Sequence, residues 1–218
     1  MRVAEQPFRF VTAAYLTRIC NQKATTLAEL SRGLEECSDA SIFYHTFQSL
    51  GRHHFLTEGF SNDFAQWVLA SCNRPILAEK LASLDIRDYL SLVELRNDLH
   101  RLVDDYCQAY PAIAAQVTFE PFYFCESIEV TVPLEMEART LEEFCGGLKV
   151  LSNASFEYHF IASRLRLHLR TNDFSFWLEN ELGLPRLAKR ANQVDIYTNT
   201  LESGRAKLLA MAEQELNR

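Results

Sequence analysis

The sequence predicts a mainly α protein built from two tandem copies of a helical unit of roughly 100 residues. Each copy is led by a short extended segment, and the pair is expected to be related by a pseudo-twofold axis. Three observations carry this expectation. Glycine (7) and proline (6) are scarce in 218 residues, below their usual shares of roughly 7% and 5%, so turn punctuation is thin and long helices are favoured. The chain also aligns with itself. A shift of 114 matches residues 7–54 to 121–168 without a gap at 18 of 48 positions, and a shift of 110 matches 62–86 to 172–196 at 9 of 25. Segments of average composition would agree at roughly 6% of positions. Finally, helix-starting residues recur at the same places in both copies, which assigns residues 1–110 to the first unit and 111–218 to the second.

Each copy opens on Pro-Phe-x-Phe (Pro7, Phe8, Phe10; Pro121, Phe122, Phe124). In the second copy Phe122, Phe124, Ile128, Val130 and Val132 keep even spacing, a strand signal that is weaker over residues 8–16. Thr26 with Glu29, and Thr140 with Glu143, have capping-box spacing, so a helix starts there and ends near Cys37 and Leu151. Ser38 and Ser152 can cap a second helix carrying Tyr44-His45 and Tyr158-His159. Asn62-Asp63-Phe64 and Asn172-Asp173-Phe174 open a third, with Trp67 and Trp177 one turn in. Pro75 and Pro185 suit the first turn of a short fourth helix. Asp85 and Asp195 can cap the last and longest. On that helix Leu92, Leu95, Leu99, Leu102 and Tyr106 follow a heptad seam, repeated in part by Leu201, Gly204, Leu208 and Met211, which would serve a dimer if exposed.

Lys plus Arg is 22 against 29 for Asp plus Glu, a net charge of -7. Both halves share the acidic excess, which argues against a nucleic-acid binder, whose basic field exchanges with phosphate counterions. No run approaches a membrane span or a signal-peptide core, so a cytoplasmic protein without membrane attachment is expected. The six cysteines form no Cys-x-x-Cys pair and should be reduced, buried thiols.

The string Ser41-Ile-Phe-Tyr-His-Thr46, followed by Asn62-Asp-Phe-Ala-x-Trp67, Leu77-Ala-Glu-x-Leu81 and Asp85-Ile86, resembles an uncharacterised prokaryotic domain-of-unknown-function family over most of residues 7–105. The second copy resembles a diverged member. It keeps Tyr158-His159, Asn172-Asp-Phe-x-x-Trp177 and Leu187-Ala188, but has Glu157 where the first has Phe43 and lacks an equivalent of His53. The resemblance implies no activity and no catalytic residues.

The candidate site is a polar stripe. Ser41, His45, Ser49 and Arg52 are spaced 4, 4 and 3 apart, which on an α-helix places them within an arc of about 80°. Ser155, His159, Ser163 and Arg166 repeat all four residue types. An arginine fork with a switchable histidine can bind an anion, while the same stripe can be a buried network that fixes helix packing. His45, Ser49, Arg52, His159, Ser163 and Arg166 are therefore the candidate ligand-binding residues.

A metal centre could draw on His45, His53, His54, Glu58 and Asp63. However, His45 and His54 are nine residues apart and point about 180° from each other on an unbroken helix. No HExxH, GxSxG, phosphate-binding loop or dinucleotide fingerprint is present, so no cofactor or metal is expected. Arg164, Arg166, Arg170, Arg186, Lys189 and Arg190 form the one basic-rich stretch and could meet an acidic partner. The functional expectation is a noncatalytic module that binds a small ligand or a protein, including a second copy of itself. The alternative is a metal-dependent or acid/base enzyme using His45, His54 and Asp63.

Overall fold

The computed structural model describes residues 2–49, 60, 62–166, 169–195 and 199–217. Helix accounts for 58% of the structure, but the extended segments are neither short nor minor. Strand β1 (Phe8–Ala24) and strand β2 (Phe122–Ala138) are 17 residues each, and they pair in a two-stranded antiparallel sheet. The expectation of a mainly α, essentially all-α fold with short extended leaders is thereby corrected. Alternation marks a strand clearly only where one face is buried. Phe8, Phe10 and Ala24 bury the ends of β1 and Phe122, Phe124 and Ala138 those of β2, whereas Leu16, Ile19, Ile128, Val130 and Val132 along their middles are exposed. Pro133 is tolerated because both strands of a two-stranded sheet have a free edge.

The chain folds into two compact units, one formed by Leu16–Ile128 and the other by Met1–Tyr15 with Glu129–Arg218. Each strand passes from one unit into the other. As a result, Phe8 and Phe10 belong with the helices of Glu129–Arg218, and Phe122 and Phe124 with those of Leu16–Ile128. Compact units and sequence copies are different divisions of the same chain.

In the unit Leu16–Ile128, helix α1 (Leu27–Glu36) begins at Thr26, whose hydroxyl accepts the Glu29 amide at 3.1 Å. Ser38 caps α2 (Asp39–Phe43), which continues as a π-helical turn over Tyr44–Gln48. Asn62 caps α3 (Asp63–Ala70), and Pro75 opens α4 (Pro75–Ala82). A 3-10 turn at Ile86–Asp88 precedes α5 (Leu92–Ala109) and the short α6 (Pro111–Ala114). Ser91, not Asp85, caps α5. Helix α5 packs on α1 and completely buries Leu95, Leu99 and Val103.

The other unit repeats the order with α7 (Leu141–Val150), where the Thr140–Glu143 capping box is complete, then α8 (Asn153–Glu157) and a π-helical turn over Tyr158–Ala162. Next come α9 (Ser163–Arg166), α10 (Asp173–Asn180), α11 (Pro185–Asn192) and α12 (Leu201–Leu216). Thr200 caps α12, and Asp195 does not. Helix α12 packs on α7 and buries Gly204, Leu208 and Ala212. Of the residues read as heptad seams, Leu92, Leu95, Leu99, Gly204 and Leu208 are buried within their units, whereas Leu102, Tyr106, Leu201 and Met211 are half-buried. No helix among the described residues is long and apolar enough to cross a membrane.

Candidate functional site

His45 lies in the first π-turn at 3% exposure. Its Nδ1 is 2.8 Å from Asp63 Oδ2, and its Nε2 accepts the backbone N–H of Cys125 at 2.9 Å. An amide can only donate, so Nε2 presents a lone pair and the proton sits on Nδ1, where it is donated to the carboxylate. His159 repeats the arrangement, with Asp173 at 2.9 Å and the Val11 N–H at 2.9 Å. Each ring lies between phenylalanines. His45 is 4.7 Å from Phe122 and 5.3 Å from Phe64, and His159 is 4.8 Å from Phe8 and 5.4 Å from Phe174, centroid to centroid.

Local sequence positions these groups. Asn62 accepts the Ala65 amide at 2.8 Å and Asn172 the Ser175 amide at 3.0 Å. This fixes Asp63 and Asp173 as the first residues of α3 and α10, where the helix dipole favours a carboxylate. One turn on, the Trp67 indole donates to the Glu120 carbonyl at 2.8 Å and that of Trp177 to the Gln6 carbonyl at 2.9 Å. Gly33 and Gly147 have no side chain because a Cβ there would overlap the rings of Phe124 and Phe10. Each set of helices therefore holds an extended strand at fixed points. The indole takes the carbonyl before the proline, the groove takes two phenylalanines, and the imidazole takes the amide four residues after the proline.

Two serines of the predicted stripe serve the backbone, while Ser155 Oγ pairs with the Ser152 hydroxyl at 3.1 Å. Ser49 Oγ donates to the carbonyls of His45 and Thr46, both at 3.0 Å, and Ser163 Oγ donates to that of His159 at 2.6 Å. The wider π-turn also changes the angular step on which the 80° arc was based. Arg52, His53, His54 and Glu58 lie outside the described residues, and so does the side chain of Arg166. Among the described residues no group of three or more His, Cys, Asp or Glu side chains could hold a metal ion. The six cysteines form no disulfide; burial pushes the Cys37 and Cys145 thiols up to about 11.

The basic stretch does not act as one surface. Arg164 turns inward and donates to the Asn192 carbonyl at 3.2 Å and its side-chain oxygen at 3.1 Å. There it meets the negative end of α11, and burial pushes its pKa down to about 10.

Sequence reasoning missed Glu126. This carboxylate is buried on β2 and hydrogen-bonded by Ser38 and Arg18. Those bonds, Ser38's foremost, hold it below the usual carboxylate range. The shift of 114 places Thr12 at the matched position, so the repeat gave no hint. The available signal was a glutamate on the apolar, even-numbered face of β2. Thr17 with Tyr44 at 3.0 Å and Ser127 with Gln48 at 2.8 Å add further links from strand to π-turn.

The solved structure of OrfY from Thermoproteus tenax is similar to this chain with a TM-score of 0.85 and 26% identity, covering 99% of this chain and 98% of that one. No curated protein matches the sequence significantly. The helix N-caps and the positions of Trp67, Trp177, His45 and His159 fall within residues 5–213, the span that matches a family of unknown function, DUF5752, and the chain belongs to that family.

Proposed function

We propose that this chain is a noncatalytic interaction module, formed by tandem duplication, in which each set of helices grips an extended Pro-Phe-x-Phe strand and the held strands engage a protein partner. The observation that carries this reading is the closed state of both imidazoles. Nδ1 serves a carboxylate and Nε2 serves a strand amide. A general base needs a free lone pair within reach of a substrate proton, and a metal-bound imidazole needs the same lone pair. Here the lone pair holds the strand. The exposed Ile128, Val130 and Val132 on one face of β2 support a protein partner, because the face that is buried at the strand ends is bare along the middle.

The test is a set of thermal melts of the wild type and His45→Ala across a panel of divalent metals and metabolites. The expected outcome is that the variant loses about 1–3 kcal/mol from unpairing buried groups and that no compound's effect depends on His45. A metal or metabolite that raises the wild-type melting temperature but leaves that of His45→Ala unmoved would overturn this reading in favour of the enzyme alternative.

A further inference from the structure

The unit that contains Met1–Tyr15 and Glu129–Arg218 holds a pocket of about 190 Å³ lined by Arg2, Leu141, Leu182, Leu184, Glu215 and Leu216. We infer that this pocket binds a carboxylate carried on a compact, branched apolar body, with Arg2 taking the carboxylate and the leucines taking the body. This site is separate from the histidine clips and does not depend on the reading given to them.

The pocket arises where the two sequence copies diverge. Continuing the shift of 114 places Gln116 opposite Arg2, and the shift of 110 places Arg74 opposite Leu184. In the unit Leu16–Ile128 these residues occupy each other, with Arg74 Nη2 donating to Gln116 Oε1 at 2.6 Å. In the unit with the pocket, leucine replaces that arginine, so the space is no longer filled and its polar contact is gone. Arg2 lies across Gly183, where a Cβ would meet its guanidinium. Gly183 has φ 66° and the matched Asn73 has φ 54°, so both take the left-handed conformation at the same helix end. Leucine side chains supply an apolar wall, and Leu141 and Leu182 are almost fully buried.

Size and charge define the ligand class. An apolar cavity of about 150 Å³ is enough to hold benzene, so this pocket suits a body slightly larger than that. The Arg2 guanidinium makes no hydrogen bond or ion pair with a described side chain, and a guanidinium fork matches a carboxylate. Glu215 at the rim adds a choice. An α-ammonium group on the ligand would meet the Glu215 carboxylate, whereas a simple fatty carboxylate carries no cation for it.

Titration calorimetry of the intact protein with 4-methylpentanoate and with leucine tests the inference. The expected result is saturable binding of at least one probe, weakened about tenfold by Arg2→Gln through loss of the charge-assisted bonds and abolished by the double variant Arg2→Gln/Leu184→Arg, which restores the arginine–glutamine pair of the other unit. Tighter binding of leucine than of 4-methylpentanoate would support the site with Glu215 holding the ammonium; the reverse order would support it with Arg2 alone selecting the head group. If the double variant fails to fold, Arg2→Gln alone still decides the matter. No saturable binding of either probe to the wild type, or equal affinity in Arg2→Gln, would overturn the inference. A melting response to these probes should persist in His45→Ala, which separates it from any ligand of the histidine clip.

Discussion

Glu126 shows how one buried side chain links elements distant in sequence and makes stability depend on pH. Its carboxyl is depressed in the folded state by hydrogen bonds from Ser38 and Arg18. The stabilisation is therefore complete above the ordinary glutamate value of about 4.3 and is lost as pH falls through the lower folded value. Glu126→Gln should lower stability at neutral pH and flatten the loss as pH falls below about 4.3, measured by urea unfolding at a series of pH values. Glu29 and Glu143 are depressed as well, foremost by the backbone amides of Thr25 and Arg139, so the slope should flatten without vanishing. An acid limb identical to wild type would show that Glu126 does not carry its part. Its place on the apolar face of β2 was legible in the sequence, but its partners, Arg18 and Ser38, are 108 and 88 residues away and were not.

At the scale of the element, α7 contains two adjacent glycines with opposite roles. A Cβ at Gly146 would meet nothing within 4 Å, whereas one at Gly147 would overlap the Phe10 ring. Gly146→Ala should stabilise by roughly 0.5–1 kcal/mol, because alanine removes the entropic cost of glycine inside a helix. Gly147→Ala should destabilise by about 1–3 kcal/mol through overpacking. Chemical denaturation of the two variants checks the contrast, and equal effects would mean that Phe10 does not press on α7 as described. The sequence placed both glycines in a helix but could not rank them, since what distinguishes them is a ring contributed from more than a hundred residues earlier.

Across the whole molecule, the leader Phe8–Phe10 belongs to the core made by α7 and α10, while Phe122–Phe124 belongs to that made by α1 and α3. Phe8 lies 5.6 Å from Phe144 and 5.4 Å from Phe174, and Phe122 lies 5.2 Å from Phe64. Hydrogen exchange on Phe10→Ala should show faster exchange in Leu141–Val150 and Asp173–Asn180, because the cavity opens there. Acceleration confined to Leu27–Glu36 and Asp63–Ala70 would contradict this exchange of leaders.

The sequence by itself determined most of the helix starts, though not those of α5 and α12, which Ser91 and Thr200 cap in place of Asp85 and Asp195. Thr26, Ser38, Asn62, Thr140, Ser152 and Asn172 each cap the helix expected of them, and Pro75 and Pro185 stand in the first turns. These signals are legible because a cap closes on an amide only three residues away. It also singled out His45 and His159 by their recurrence. Only the tertiary structure decided what those histidines do, because the amides that occupy them lie 80 and 148 residues distant. The same holds for the length of the strands and for which helices receive which leader. Strand pairing and burial are set by contacts between remote segments, and no local periodicity records them where a strand leaves its core and both faces meet solvent.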